Sequence, residues 1–163
     1  MKKVLLLALV LSLMVFGQVA QASTAQLVQT VEVVADKNVT PIDFSFFDKP
    51  APGKLEFFNV KNLWGAGAGM IFYVETDKGS DWLMLGFGGG MVEIRLQNQK
   101  IALFSEKVES ITAKTPLTMT IQDGKLTATI GSRSRTVAGV NTFTGNFTTQ
   151  SIEGTLKAYQ FTE

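Results

Sequence analysis

Histidine and cysteine are both absent from the 163-residue chain, and each absence excludes a group of chemistries. Without histidine there is no imidazole to act as a general base, so Ser-His-Asp catalysis cannot operate. Without either residue, neither thiol catalysis nor a zinc site built on histidine or cysteine ligands can form. Calcium held by oxygen ligands is the only metal chemistry left open. No run has EF-hand spacing, so we predict no metal site and no cofactor.

The N-terminus carries the pattern of a secretory signal. Lys2 and Lys3 precede an apolar run over residues 4–16, and Ala20-Gln21-Ala22 offers the small residues that signal peptidase requires. A membrane-spanning helix needs about 20 apolar residues, which this run does not reach. The sequence therefore predicts a signal peptide over 1–22 and a single β-sandwich domain over 23–163. We expect a secreted or periplasmic protein of bacterial type, with no stable membrane anchor after cleavage.

Charge of either sign is also scarce. The chain has 15 basic and 14 acidic residues, and removing Lys2 and Lys3 with the leader leaves 13 against 14. A nearly neutral protein has no strong field to attract nucleic acid or an anionic membrane. Nucleic acid is therefore excluded as an expected partner.

Two-residue alternation of apolar and polar side chains predicts an all-β fold. The clearest unit covers residues 117–131, where two alternating runs are joined by Asp123-Gly124. Two such runs around Asp-Gly are the strongest short-range signal for a β-hairpin. A second hairpin is predicted to turn at residues 97–100. Any helix is expected to be one short turn near residues 105–110.

Twelve short strands are predicted in all, and their close spacing favours an antiparallel sandwich or barrel. They cover residues 27–35, 42–47, 55–60, 70–76, 81–87, 92–96, 101–104, 117–122, 126–130, 134–137, 143–149 and 154–161. Phe44, Phe46, Phe47, Phe57 and Phe58 form an aromatic block in two of them. Neighbouring residues of a strand point to opposite faces, so we expect both faces to be covered there. The alternative is an exposed ring, which would mark a partner surface.

The order of segments between residues 70 and 131 resembles the concanavalin A-like lectin/glucanase jelly rolls, a group that includes laminin-G-like modules. A strand that ends in charged residues (72–77) leads into a tryptophan-bearing strand (81–87). A run of three glycines (88–90) then leads into a hairpin (92–104), and Pro-Leu-Thr-Met-Thr-Ile-Gln-Asp-Gly follows from residue 116. Residues 154–161 look like the closing strand of such modules. The resemblance implies a two-sheet antiparallel sandwich, commonly used to bind glycans or proteins.

The resemblance also points to Glu75-Thr76-Asp77 as a place to look for catalysis. Retaining glucanases of this group carry Glu-x-Asp-x-Glu or Glu-x-Asp-x-x-Glu, and the outer glutamates do the chemistry at a separation of about 5–5.5 Å. Here Gly79 and Ser80 stand where the second glutamate belongs. The motif is broken, so no catalytic residue is predicted.

Three aromatic residues are the candidates for stacking on sugar rings. Trp64 precedes the glycine-rich segment 65–69 and is predicted to lie in a loop, where it can contact a ligand or partner. Tyr73 and Trp82 lie in predicted strands. For Trp82, inside an apolar strand, packing in the core is the favoured interpretation and ligand contact the alternative.

Three functions remain open on the sequence alone. The first is an exported, non-catalytic binding module for a glycan or a cell-envelope or extracellular partner, and this one we favour. The second is a structural or assembly subunit of the cell envelope, since exposed sheet edges can pair with another chain. The third is a polysaccharide-active enzyme that works with carboxylates alone. Oligomeric state and ligand stay open.

Overall fold

The computed structural model describes residues 23–33, 42–62, 68–88, 91–107, 115–150 and 152–162. The predicted signal peptide lies outside these residues. The described residues contain no helix, and therefore none that is long and apolar enough to cross a membrane. They form strands β1 (Thr24–Val33), β2 (Ile42–Ser45), β3 (Gly53–Asn62), β4 (Ala68–Thr76), β5 (Gly79–Gly88), β6 (Met91–Leu96), β7 (Ile101–Lys107), β8 (Leu117–Gln122), β9 (Lys125–Ile130), β10 (Arg133–Ala138), β11 (Val140–Gln150) and β12 (Ile152–Thr162).

The strands pair into two antiparallel sheets of six. Sheet 1 has the order β1-β12-β3-β8-β9-β10, and sheet 2 has the order β2-β11-β4-β5-β6-β7. Sequence-adjacent strands pair in the hairpins, while β11 and β12 each pass between strands from distant parts of the chain. The predicted all-β, two-sheet antiparallel sandwich is therefore confirmed.

The two predicted hairpins have the backbone that their turn residues favour. Asp123 and Gly124 both have positive φ, 52° and 67°, as a two-residue type I′ turn between β8 and β9 requires. The second turn runs over residues 97–100 and ends at Lys100, whose φ is 56°. Ser105 belongs to β7, so the helical turn considered from that residue onward is wrong over 105–107. Residues 108–110 lie outside the described part.

The core lies between the sheets and follows from the alternation. In β8, Leu117, Met119 and Ile121 are buried while the polar residues between them are partly exposed. Phe72 and Phe147 of sheet 2 belong to the same core cluster, and both are fully buried. Burying each such side chain stabilises the fold by roughly 1.5–3 kcal/mol, so a continuous apolar layer holds the two sheets together.

The phenylalanine block shows how the two faces are covered. Phe57 is buried in the core, whereas Phe58 points to the outer face of sheet 1, where the Lys157 ammonium lies 5.4 Å from its ring centroid. Phe46 and Phe47 follow the end of β2 and are both buried. Because they lie outside a strand, strict alternation does not apply to them, and both rings reach the core.

Candidate functional site

The outer face of sheet 2 brings two of the three candidate aromatic residues together. Tyr73 of β4 and Trp82 of β5 are directly opposite in the ladder. Directly opposed residues of an antiparallel pair have Cβ atoms about 4.5–5.5 Å apart, so the two rings are neighbours. Trp82 is 47% exposed, and Tyr73 is half-buried. Trp64 lies outside the described residues, so its predicted role stays a prediction.

The core position favoured for Trp82 is wrong, and period-two alternation gives the reason. Asp81 and Leu83 are both buried and point inward, so Trp82 between them points to solvent. Asp81 can lie in the buried position because hydrogen bonds satisfy both oxygens of its carboxylate. It accepts hydrogen bonds from the backbone N–H groups of Trp82 (2.7 Å), Asn98 (2.8 Å) and Gln99 (3.3 Å). Asp81 thus fixes the β6–β7 turn against the start of β5.

A shallow depression of about 430 Å³ adjoins the aromatic pair. It is lined by residues of β2, β4 and β11, namely Asp43, Phe44, Ser45, Tyr73, Asn146 and Phe147. The rings of Phe44 and Phe147 stack with centroids 5.0 Å apart and planes 14° apart on the core side of the sheet, so they support the floor of the depression from beneath. The site therefore combines the Tyr73 ring with a carboxylate, two hydroxyls and an amide, the mixture typical of small-molecule sites.

Hydrogen bonds hold the polar groups of the depression in place. The Thr148 hydroxyl donates to Asp43 Oδ1 at 2.5 Å and lies 3.3 Å from the Tyr73 hydroxyl. The Ser45 hydroxyl donates to Asn146 Oδ1 at 2.6 Å. Within the described residues no side-chain bond occupies Asp43 Oδ2 or the Asn146 amide nitrogen. The site therefore offers a free acceptor and a free donor next to the aromatic rings.

A bulge in β11 sets the position of Asn146. The register of β11 against β4 shifts between Phe143 and Phe147, and Gly145 in the bulge has a φ of 103°. A Cβ atom at Gly145 would lie 2.4 Å from the Phe47 carbonyl oxygen, closer than any real contact. The Gly145 carbonyl accepts hydrogen bonds from the N–H groups of Phe46 (2.7 Å) and Phe47 (3.2 Å). Bulges re-aim side chains in this way, and here the glycine allows it.

The acids of the broken glucanase-type motif lie at one end of the same sheet. Glu75 accepts hydrogen bonds from the Ser80 hydroxyl at both carboxylate oxygens, at 2.9 Å and 3.1 Å. Asp77, in the turn between β4 and β5, accepts a hydrogen bond from the Asn141 amide at 2.9 Å. Both carboxylates therefore order neighbouring strand ends. Among the described residues, no three acidic side chains cluster closely enough to hold a metal ion.

The outer face of sheet 2 has more acidic than basic side chains. Asp43, Glu75 and Glu93 are its acids, Arg95 of β6 lies among them, and Lys107, opposite Met91 in the ladder, is a second base on the β7 edge. The Arg95 guanidinium lies 3.3 Å from Glu93 Oε1, so its charge is already paired. Near the depression the remaining charges are those of Asp43 and Glu75, so an anionic ligand would meet repulsion there.

Sequence reasoning missed most of the depression. Tyr73 was predicted, whereas Asp43, Ser45 and Asn146 were not. Alternation in β2 could have placed Asp43 and Ser45 on one face, but not beside Tyr73. That neighbourhood exists because β11 pairs with β2 on one side and with β4 on the other. Such pairing joins segments about a hundred residues apart, and no local signal encodes it.

No family model matches the sequence, and no curated protein matches it either. Several solved structures are similar in shape. A Bacillus licheniformis β-glucanase has 10% identity and a TM-score of 0.44, covering 88% of this chain and 99% of its own. The Caenorhabditis elegans galectin LEC-6 has 9% identity and a TM-score of 0.44, covering 81% and 96%.

The carbohydrate-binding module CBM66 from Bacillus subtilis has 10% identity and a TM-score of 0.45, covering 85% of this chain and 92% of its own. All three structures are concanavalin A-like jelly-roll proteins, the group that the sequence resembles. Their identities are near one tenth, so the likeness concerns the fold alone. The sandwich itself is established by the strand pairing of this chain.

Proposed function

We propose that the protein is a non-catalytic module that binds a glycan on the outer face of sheet 2, at the depression and the adjoining Trp82. One observation carries the proposal. An exposed tryptophan and a half-exposed tyrosine stand side by side on a rigid sheet, next to a free carboxylate oxygen and a free amide nitrogen. The jelly-roll proteins of similar shape, which include a galectin and a carbohydrate-binding module, agree with this proposal without deciding it.

The chemistry of a sugar ring fits this arrangement. One face of a pyranose presents C–H groups, which pack on the apolar face of an aromatic ring such as Trp82. Its hydroxyl groups both donate and accept, and Asp43 and Asn146 supply the matching partners. Because Thr148 already fixes Asp43 and Tyr73, little side-chain freedom is lost on binding.

The charge of the face selects the class of glycan. With Asp43 exposed and Glu75 half-buried near the depression, and with Glu93 and Arg95 paired to each other, the site disfavours uronate-containing or sulfated polysaccharides. A neutral polysaccharide brings no such repulsion. We therefore expect neutral glycans to bind and anionic ones not to bind at ordinary ionic strength.

Calorimetry and tryptophan fluorescence with a panel of neutral and anionic polysaccharides test the proposal. Trp82→Ala should lower the affinity for the neutral ligand at least tenfold, because it removes the exposed ring. Tyr73→Phe should weaken binding, since it removes a hydroxyl of the site. Tyr159→Phe is the matched control, because Tyr159 is the only other tyrosine and its hydroxyl bonds Glu56 on the outer face of sheet 1.

Two results would count against this function. If no polysaccharide in the panel changes either signal, the depression does not bind glycans. If Trp82→Ala and Tyr73→Phe bind as tightly as the parent protein while a ligand is found, binding takes place elsewhere. A reducing-end assay with the bound polysaccharide separates binding from hydrolysis, and we expect no release of reducing ends.

The predicted role of Trp64 can be tested with the same signal. The chain has two tryptophans, so Trp82→Phe leaves Trp64 as the sole indole. A ligand-induced change in the fluorescence of that variant would support the predicted contact of Trp64 with the ligand. If the fluorescence of Trp82→Phe does not change while calorimetry still detects ligand binding, Trp64 does not contact the ligand.

A further inference from the structure

The sandwich has four edge strands, and three of them are protected against pairing with another chain. The β10 and β7 edges face each other, and Arg133 of β10 forms an ion pair with Glu106 of β7 at 2.8 Å. Arg135 of β10 lies over the Phe104 ring of β7, 5.8 Å from its centroid. The β2 edge is four residues long and carries Asp43. Short edges and charged side chains are the usual means of preventing edge-to-edge association.

The fourth edge, β1, is neither short nor densely charged, and its one edge-blunting feature is a bulge at Val28. It is ten residues long and includes no proline and a single charged residue, Glu32. Its first seven residues are all exposed, and Leu27 and Val28 are 49% and 44% exposed. The register with β12 shifts between Leu27 and Gln29, so Val28 has no partner on β12. This strand therefore presents two aliphatic side chains beside a row of backbone groups that no other described strand pairs with.

We propose that β1 pairs antiparallel with β1 of a second copy of this chain, which joins the two copies of sheet 1 into one continuous sheet. An antiparallel edge is complementary to itself, because a two-fold axis brings each N–H and C=O group to its counterpart in the copy. An axis near Leu27 would place the two Leu27 side chains next to each other on the same face. Ala25 and Phe161, paired across β1 and β12, would extend that apolar contact.

Charge favours a copy of the same chain over a charged partner. With the axis near Leu27, the two Glu32 carboxylates lie ten strand positions apart, about 34 Å at 3.4 Å per residue. That separation exceeds the Debye length of about 8 Å at physiological ionic strength, so the only charges on the edge do not oppose pairing. An acidic partner segment would find no complementary charge on β1, and a basic one would find only Glu32.

Light scattering coupled to size-exclusion chromatography tests the dimer in the purified protein. We expect the mass of a dimer over about 1–100 µM, the range in which a small edge contact associates. Leu27→Lys should shift the protein to a monomer, because it places a charge at the centre of the contact. Ser134→Lys, on the exposed β10 edge of the same sheet, is the matched control and should leave the dimer intact.

A second measurement uses the absence of cysteine from the chain. Leu27→Cys introduces a unique thiol near the axis, and mild oxidation should convert that variant into a disulfide-linked dimer. Ser134→Cys should stay monomeric on a reducing-agent-free gel. A monomeric parent protein throughout the concentration range, a dimer that survives Leu27→Lys, or cross-linking at Ser134→Cys alone would each overturn the proposal.

Discussion

Replacing Asp81 by alanine should destabilise the protein by about 3 kcal/mol, because two backbone N–H groups of a distant turn lose their acceptor. The carboxylate is 1% exposed and accepts from Asn98 and Gln99, 17 and 18 residues along the chain. A hydrogen bond to a charged group contributes roughly 1.5–3 kcal/mol, and a donor left buried costs a further desolvation penalty. For a domain of this size the melting temperature should fall by roughly 10 °C.

The conservative variant separates the charge from the geometry. Asp81→Asn keeps one oxygen for the N–H groups of Trp82 and Asn98 but turns an amide nitrogen toward the N–H of Gln99. It should therefore cost less than alanine, about 1–2 kcal/mol. Asp77→Ala is the matched control, since Asp77 is an exposed acid of the neighbouring turn with one side-chain partner.

Urea unfolding followed by far-ultraviolet circular dichroism measures these differences. The three variants should shift the midpoint in the order Asp81→Ala, Asp81→Asn, Asp77→Ala, with an unchanged dependence on denaturant. If Asp81→Ala unfolds at the same urea concentration as Asp77→Ala, the buried carboxylate does not fix the turn. The explanation of why Trp82 points outward would then lose its main support.

Three further predictions concern other parts of the molecule. Burial raises the pKa of Glu56, but hydrogen bonds from Lys54 and Tyr159 and the charge of Lys54 outweigh it and lower the pKa below 4.5. The stability gained is present above that value and lost as the pH falls below it, so Glu56→Gln should flatten the acid side of a melting-temperature profile. Gly145→Ala should lose more stability than Gly79→Ala, since both glycines have a φ near 100° but only at Gly145 does the new Cβ meet backbone; equal midpoints in urea would contradict this. Mass spectrometry of exported protein should give a chain that begins at Ser23, and an intact Met1 would refute the predicted cleavage.

The strand pattern was readable from the sequence because it depends on local rules. Alternation and turn chemistry are properties of neighbouring residues, and Asp123-Gly124 fixes the β8–β9 register on its own. All twelve predicted strands have a counterpart in the structure, with ends that differ by a few residues. The same rules misplaced Trp82, because the run from Trp82 to Leu85 is apolar throughout and conceals which of its residues face the core.

The candidate site could not be predicted from the sequence, because it depends on pairing between strands that are far apart along the chain. Asp43, Tyr73 and Asn146 meet only because β11 lies between β2 and β4 in the sheet. The β11 bulge that aims Asn146 depends in turn on hydrogen bonds from the N–H groups of Phe46 and Phe47, which lie about a hundred residues earlier. A glycine within a strand pattern indicates that a bulge can form there, but it does not indicate which side chain the bulge presents.

The two proposals together lead to a prediction that neither makes alone. A two-fold axis perpendicular to the joined sheet leaves each outward direction unchanged, so both copies of sheet 2 would face the same side. A dimer through β1 would therefore present two glycan sites to one polysaccharide surface, and linked sites bind more tightly by a factor of about 100 or more when both can engage.

Leu27→Lys should lower the apparent affinity for an immobilised neutral polysaccharide by at least about tenfold, while its affinity for a short soluble oligosaccharide stays unchanged. Surface plasmon resonance on the polymer and calorimetry with the oligosaccharide measure the two quantities. Equal losses in both assays would show that Leu27 affects the site itself, and no loss in either would show that the two sites do not act together.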